Sequence, residues 1–239
     1  MRLYSWRQVS LSFTVLVFGL FFPLNIVAMI LYPGSIKLDP TTVGYSFTHN
    51  FFSDLGRTMT YSGESNFPSS GVFLLSLVLV GLGLISFCFT ATSLMRKNRT
   101  SATLGKLGLL AGIVSVISIP GIGFTPHNLY PETHTYFTET GFRSFLVLML
   151  LYTGAIWKNE NGIPKKIATT MIGFAVLVAI YIGIMEWGPE IDTTKGLIFQ
   201  VISQKIIVFA LIGCILIQSI QLLKFLKNTD KEKRNSFPA

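Results

Sequence analysis

Six stretches of mostly apolar residues, at 9–32, 71–95, 103–124, 141–157, 167–187 and 196–223, punctuate the 239-residue chain. A helix needs about 20 such residues to cross roughly 30 Å of hydrocarbon. With no water in the bilayer core to satisfy backbone groups, a run of this length spans as a helix. The chain is therefore expected to be all-α, a six-transmembrane-helix bundle. Composition agrees, since half of the residues are hydrophobic and 13% are charged, against roughly 25% charged in soluble domains. The fourth stretch is the shortest, and its helix is expected to begin earlier, near Tyr136, carrying Glu139 and Arg143 into its outer end. Arg2 and Arg7 ahead of the first stretch also fit a cleavable signal sequence. The apolar run is longer than the about 7–15 residues usual there, and no small-residue cleavage pattern follows, so a retained span is the better reading.

Basic residues favour the cytoplasmic side of short loops. The N-terminus, the second-to-third and fourth-to-fifth connections and the C-terminal segment hold 14 of the 19 Lys and Arg, and six spans put all of them on one side. Both termini are thus expected in the cytoplasm. Eight of the 11 Asp and Glu fall in the outer half. The pI near 9.6 then reports a multi-pass protein of the cell membrane with basic inner loops beside anionic lipid, and no nucleic-acid partner is expected. Residues 1–226 form the membrane domain, and 227–239 read as a charged, disordered cytoplasmic tail. Cys88 and Cys214 lie inside spans, where a thiol packs as a small apolar group.

The outer segments carry the chemistry. A long first outer loop runs from Tyr32 to Ser70, with Phe47, Phe51 and Phe52 placed to dip into the membrane interface. Within it Ser53 or Asp54 is placed to start a turn or cap a short helix. The second outer segment holds Pro120, Gly121, Gly123, Pro126 and Pro131, which are expected to break helix and leave irregular backbone around a wet mouth. A helix starting near Pro131 would point His134 down its first turn toward the bundle. In the third outer segment Trp187 reads as an interfacial anchor. Lys205, beside Gln204 in the sixth span, is an isolated intramembrane charge. Such a charge faces the bundle interior or a water cavity and seeks an anion, with Asp54, Glu139 and Glu186 the nearest candidates.

His-Asn-Phe-Phe-Ser-Asp-Leu-Gly at 49–56, Gly-Phe-Thr-Pro-His-Asn followed by His134, and Gly196-Leu197 leading to Gln204-Lys205 together resemble a family of six-span prokaryotic membrane proteins of unknown function. The resemblance runs from about residue 10 to 225 and rests on Asn50, Ser53, Asp54, Gly56, Pro126 and His134. Lys205 stands where that family commonly has Arg, while His49 and His127 are features of this chain. The Ser-Asp element is also similar to that of eukaryotic DRAM and FRAG-type membrane proteins, some linked to lipid remodelling of GPI anchors. The resemblance implies the fold and topology and names no activity.

Three function classes follow. The first is an enzyme processing a lipid or lipid-linked substrate by hydrolysis or acyl transfer, with His134 as base, Asp54 orienting it and Ser53 as nucleophile or hydrogen-bond donor. In a variant of it, His49, His127 and His134 bind zinc, with Asp54 or Glu132 completing the site. The second is a non-catalytic lipid or headgroup sensor whose ligand-binding residues are Lys205, Asn50, Arg57, Gln204 and Glu186. The third is a small-solute transporter, against which stands the lack of an internal repeat. No nucleotide-binding loop, haem motif or flavin fingerprint occurs, so no nucleotide cofactor is expected.

Overall fold

The computed structural model describes residues 5–235, with side chains to 232, so Arg2 and the last residues of the tail lie outside the described part. Six helices account for most of it: α1 Trp6–Leu31, α2 Phe67–Leu94, α3 Arg99–Phe124, α4 Pro131–Trp157, α5 Lys165–Trp187 and α6 Thr194–Asn235. All six are long and apolar enough to cross a membrane, the architecture of a multi-pass membrane protein. Each helix packs on the next, and α6 returns to α1 to close a ring. The exposed faces remain rich in Leu, Ile, Val and Phe, as lipid-facing surfaces must be. The core holds Phe18, Leu84, Phe87, Phe145, Leu148 and Tyr152.

Small residues set how closely the helices approach. A Cβ added to Gly83 of α2 would lie 2.9 Å from the Phe18 ring and closer still to Val17. At this crossing Thr14 donates its hydroxyl to the Gly83 carbonyl at 3.1 Å. Without a hydrophobic driving force between helices in lipid, contacts of this kind carry the association.

Three sequence expectations change here. First, α3 does not break at Pro120 but continues to Phe124. Gly81 of α2 makes room for the ring, since a Cβ there would come within 2.8 Å of Pro120 Cγ, and neighbouring helices commonly accommodate a membrane-helix proline. The break comes at Thr125, whose N–H and hydroxyl both donate to the Gly121 carbonyl, at 3.1 and 2.7 Å. Second, α6 runs through the supposedly disordered tail as far as Asn235. The segment has no Pro or Gly to stop it, and Asp230 of this extension accepts from Gln8 Nε2 at 2.9 Å. Third, α4 begins at Pro131, five residues before Tyr136.

The α1–α2 connection is a folded plug and not a surface-lying segment. It opens with an antiparallel hairpin, β1 Gly34–Ile36 and β2 Asp39–Val43. It then forms a short 3-10 helix, Phe52–Gly56, seated against α2, α3 and α6. Phe52 is buried between Phe21 and Phe209, with ring centroids 6.0 and 5.5 Å away, where an interfacial position was expected. Phe47 remains exposed. Tight α1–α2 packing predicts that Gly83→Ala costs about 1–3 kcal/mol through overpacking. Gly71→Ala, with nothing within 4 Å of the new methyl, should be neutral; thermal unfolding of both variants in detergent checks the contrast.

Candidate functional site

The site is built around the 3-10 helix Phe52–Gly56. An isolated turn of this kind has orphan N–H groups at one end and orphan carbonyls at the other. At the first end the Asp54 carboxylate accepts the Phe51 N–H at 2.9 Å and Asn50 Nδ2 at 3.2 Å on one oxygen, and the Tyr61 hydroxyl at 3.0 Å on the other. At the second end Asn66 Nδ2 donates to the carbonyls of Leu55 and Arg57, at 3.2 and 2.8 Å, and the Ser69 hydroxyl adds a bond to Leu55 at 3.2 Å. Burial pushes the Asp54 carboxyl above the usual range, opposed by its bonds from Asn50 and Tyr61, by nearby Arg57 and by the Phe51 N–H. Burial also pushes the Tyr61 and Tyr45 phenols up, helped in both by the Asp54 charge.

From the other side α6 grips the same segment. Gln204 Oε1 accepts the Phe52 N–H at 2.8 Å, and Lys205 Nζ donates to the Asn50 carbonyl. Lys205 is 1% exposed and sits among the rings of Tyr45, Phe47 and Phe52, at 5.3, 5.0 and 5.4 Å from their centroids. The expected ion pair with Asp54, Glu139 or Glu186 does not form. Asp54 is taken up by its three donors, and Glu139 and Glu186 both pair with Arg143. A carbonyl and three aromatic faces stabilise the ammonium instead.

The second connection approaches through Asn128, which accepts from the Thr58 N–H at 3.0 Å and donates to the Thr58 hydroxyl at 2.9 Å. This bridge brings Arg57 and Tyr61 to one wall of a cavity of about 340 Å³ and His127 and His134 to another. The volume lies at the low end of the roughly 300–1,000 Å³ typical of ligand pockets. Ser53, Asp54, Glu139 and Gln204 also line it, with Tyr181, Met185 and Ile191 forming an apolar side. Lys37 reaches its rim, bridged to Asp192 at 2.7 Å. A smaller pocket of about 70 Å³ shares Ser53, Thr138 and Gln204 and continues among Phe21, Phe73, Phe142 and Val208.

His134 is buried, and its Nδ1 lies 2.7 Å from the Thr125 carbonyl. A carbonyl only accepts, so Nδ1 carries a proton, and the Ile122 carbonyl is a second backbone partner of the ring. The His127 ring meets it edge-on, with centroids 5.4 Å apart. Burial holds His127 below the usual histidine range, and the positive charges of Arg57 and Lys37 act in the same direction. The third histidine is not gathered in: His49 faces the hydroxyls of Ser46 and Thr48, at 3.2 and 2.9 Å, and does not line the cavity. Among the described residues no three His, Cys, Asp or Glu side chains are placed to hold a metal ion. The zinc set of His49, His127 and His134 is therefore not assembled, because local hydroxyls hold His49 within its own turn.

Of the other candidates, Ser53 lines the cavity, and its hydroxyl has no hydrogen-bond partner, hence no general base in contact, among the described residues. Asn50 and Lys205 sit behind the wall, and Glu186 belongs to the Arg143 cluster. Sequence reasoning passed over Tyr61 and Asn66, which act only through tertiary contacts; Thr125 and Asn128 lie in the Gly-Phe-Thr-Pro-His-Asn element, which does not reveal their partners. The geometry recasts Asp54 as a lock on the loop. Asp54→Asn, which cannot accept from all three donors, should lower stability by about 1–3 kcal/mol; unfolding at the wild-type temperature would remove that role. No protein family, curated protein or solved structure matches the chain.

Proposed function

We propose that this is a membrane protein that takes the polar head of a membrane lipid or lipid-linked molecule into the cavity and processes it by hydrolysis or acyl transfer, with His134 as the acid–base group. The observation that carries the reading is the orientation of His134. Its Nδ1 proton is donated to the Thr125 carbonyl at 2.7 Å, with the Ile122 carbonyl a second backbone partner, and the ring so fixed lines the cavity, where a positioned imidazole can exchange a proton. The cavity suits an amphiphile, since Ser53, Arg57, His127 and His134 line it together with Tyr181, Met185 and Ile191. The charge distribution supports an outer position for the site. The connection between α2 and α3, that between α4 and α5 and the C-terminal segment are rich in Lys and Arg, which favours a cytoplasmic position for that end of the bundle and for both termini.

Head-group binding without chemistry is the second reading, and the unpartnered Ser53 hydroxyl favours it, since a serine nucleophile is normally activated by an adjacent base. The two separate by experiment. Purified protein is incubated in liposomes made from a total membrane lipid extract, and the lipids are followed by mass spectrometry. Processing predicts a consumed lipid and a new product, with turnover falling on the order of 10²–10⁴-fold in His134→Ala. Undiminished turnover in that variant would remove His134 from the chemistry; bound lipid with no product from the wild type would favour the second reading.

A further inference from the structure

Arg57 is a buried cation at the cavity wall whose terminal donors the protein leaves unused. The residue is 9% exposed. Its Nε–H donates to the Met59 carbonyl at 3.2 Å, and its guanidinium carbon lies 4.0 Å from the centroid of the Tyr61 ring. Neither terminal amino group has a hydrogen-bond acceptor or carboxylate partner among the described residues. Asp54 is the nearby acid, but its oxygens are occupied by Phe51, Asn50 and Tyr61. Glu139, the other carboxylate lining the cavity, pairs with Arg143 at 3.0 Å. The terminal donors open to the cavity, where water or a bound anion supplies their acceptors. A guanidinium held over an aromatic ring presents a planar fork that matches a tetrahedral or planar oxyanion.

We propose that Arg57 forms a subsite for a phosphate-type oxyanion, with its terminal amino groups gripping the anion and the free Ser53 hydroxyl and the His127 ring lining the same cavity. This deepens the function proposed above and rests on it, because it names the head group as a phosphate ester. The same chemistry would also take free inorganic phosphate. The positive charges of Arg57 and Lys37 both reach His127, while the acids of the cavity, Asp54 and Glu139, are engaged by their own partners.

The test uses purified full-length protein in a neutral maltoside detergent, titrated with dihexanoyl phosphatidic acid, dihexanoyl glycerol and inorganic phosphate, with binding read from the thermal-stability shift. The wild type should bind the phosphatidic acid saturably and the neutral glycerol far more weakly. Arg57→Gln should weaken phosphatidic acid binding by about tenfold or more, and Arg57→Lys, which keeps the charge without the fork, should fall between. Lys158→Gln, an exposed cation at the opposite end of α4 that does not line the cavity, should leave it unchanged. Should Arg57→Gln fail to fold, Arg57→Lys carries the test. Competition by inorganic phosphate at similar concentration supports the subsite with free phosphate as a sufficient ligand, and lack of competition supports it with a lipid phosphate. Equal binding of both lipids, insensitive to Arg57, would overturn the oxyanion subsite and leave the amphiphile cavity standing. Binding of none of the three probes would overturn both.

Discussion

Everything at the functional end of this bundle depends on satisfying the backbone of an irregular segment pushed into a ring of membrane helices. Non-helical backbone at such a place is tolerated only where protein or water supplies its hydrogen bonds, and each buried group left without one costs about 1–3 kcal/mol. Here the partners are side chains from three directions. Gln204 and Lys205 of α6 take the Phe52 N–H and the Asn50 carbonyl. Asp54 takes the Phe51 N–H. Asn66 and Ser69, at the start of α2, take the carbonyls of Leu55 and Arg57. The 3-10 helix is thereby fixed across the mouth of the ring, and its far side becomes the wall of a cavity.

That arrangement divides the polar residues into two groups. Asp54, Asn50 and Lys205 are consumed in holding the plug, Asp54 by its donors and Lys205 by a carbonyl and aromatic faces. Arg57, Ser53, His127 and His134 are held by the same framework yet keep donor or acceptor capacity toward the cavity. His134 is set by the last carbonyls of α3, which are exposed because that helix ends at Phe124 with Thr125 turned back on Gly121. The Asn128–Thr58 bridge then brings this connection against the plug. Three connections thus meet at one end of the ring, with the third contributing Asp192 to Lys37.

The spans were legible because a run of about 20 apolar residues has one viable structure in lipid. Asp54 and His134 were legible as polar residues in segments rich in Pro, Gly and aromatic side chains. The direction of their interactions was not. Lys205 reads in sequence as a charge in want of an anion, and nothing local reveals that Tyr45, Phe47 and Phe52 from a loop some 150 residues away will surround it. His49 reads as an equal of His127 and His134, yet Ser46 and Thr48 retain it. Pro120 reads as a helix breaker, and only the absence of a side chain on Gly81 in the neighbouring helix lets α3 pass through it. The tail reads as disordered because it is highly charged and poor in apolar residues, yet with no Pro or Gly to stop it α6 continues to Asn235.

The central claim, that the plug and helices α4 to α6 enclose a binding site for an amphiphile's head, is tested most directly by determining the structure of the protein reconstituted in nanodiscs of its native lipids. The account predicts density for one lipid with its head between Arg57 and His134 and its chain leaving past Tyr181 and Met185. A cavity holding only water, with every ordered lipid on the outer faces of the helices, would contradict it.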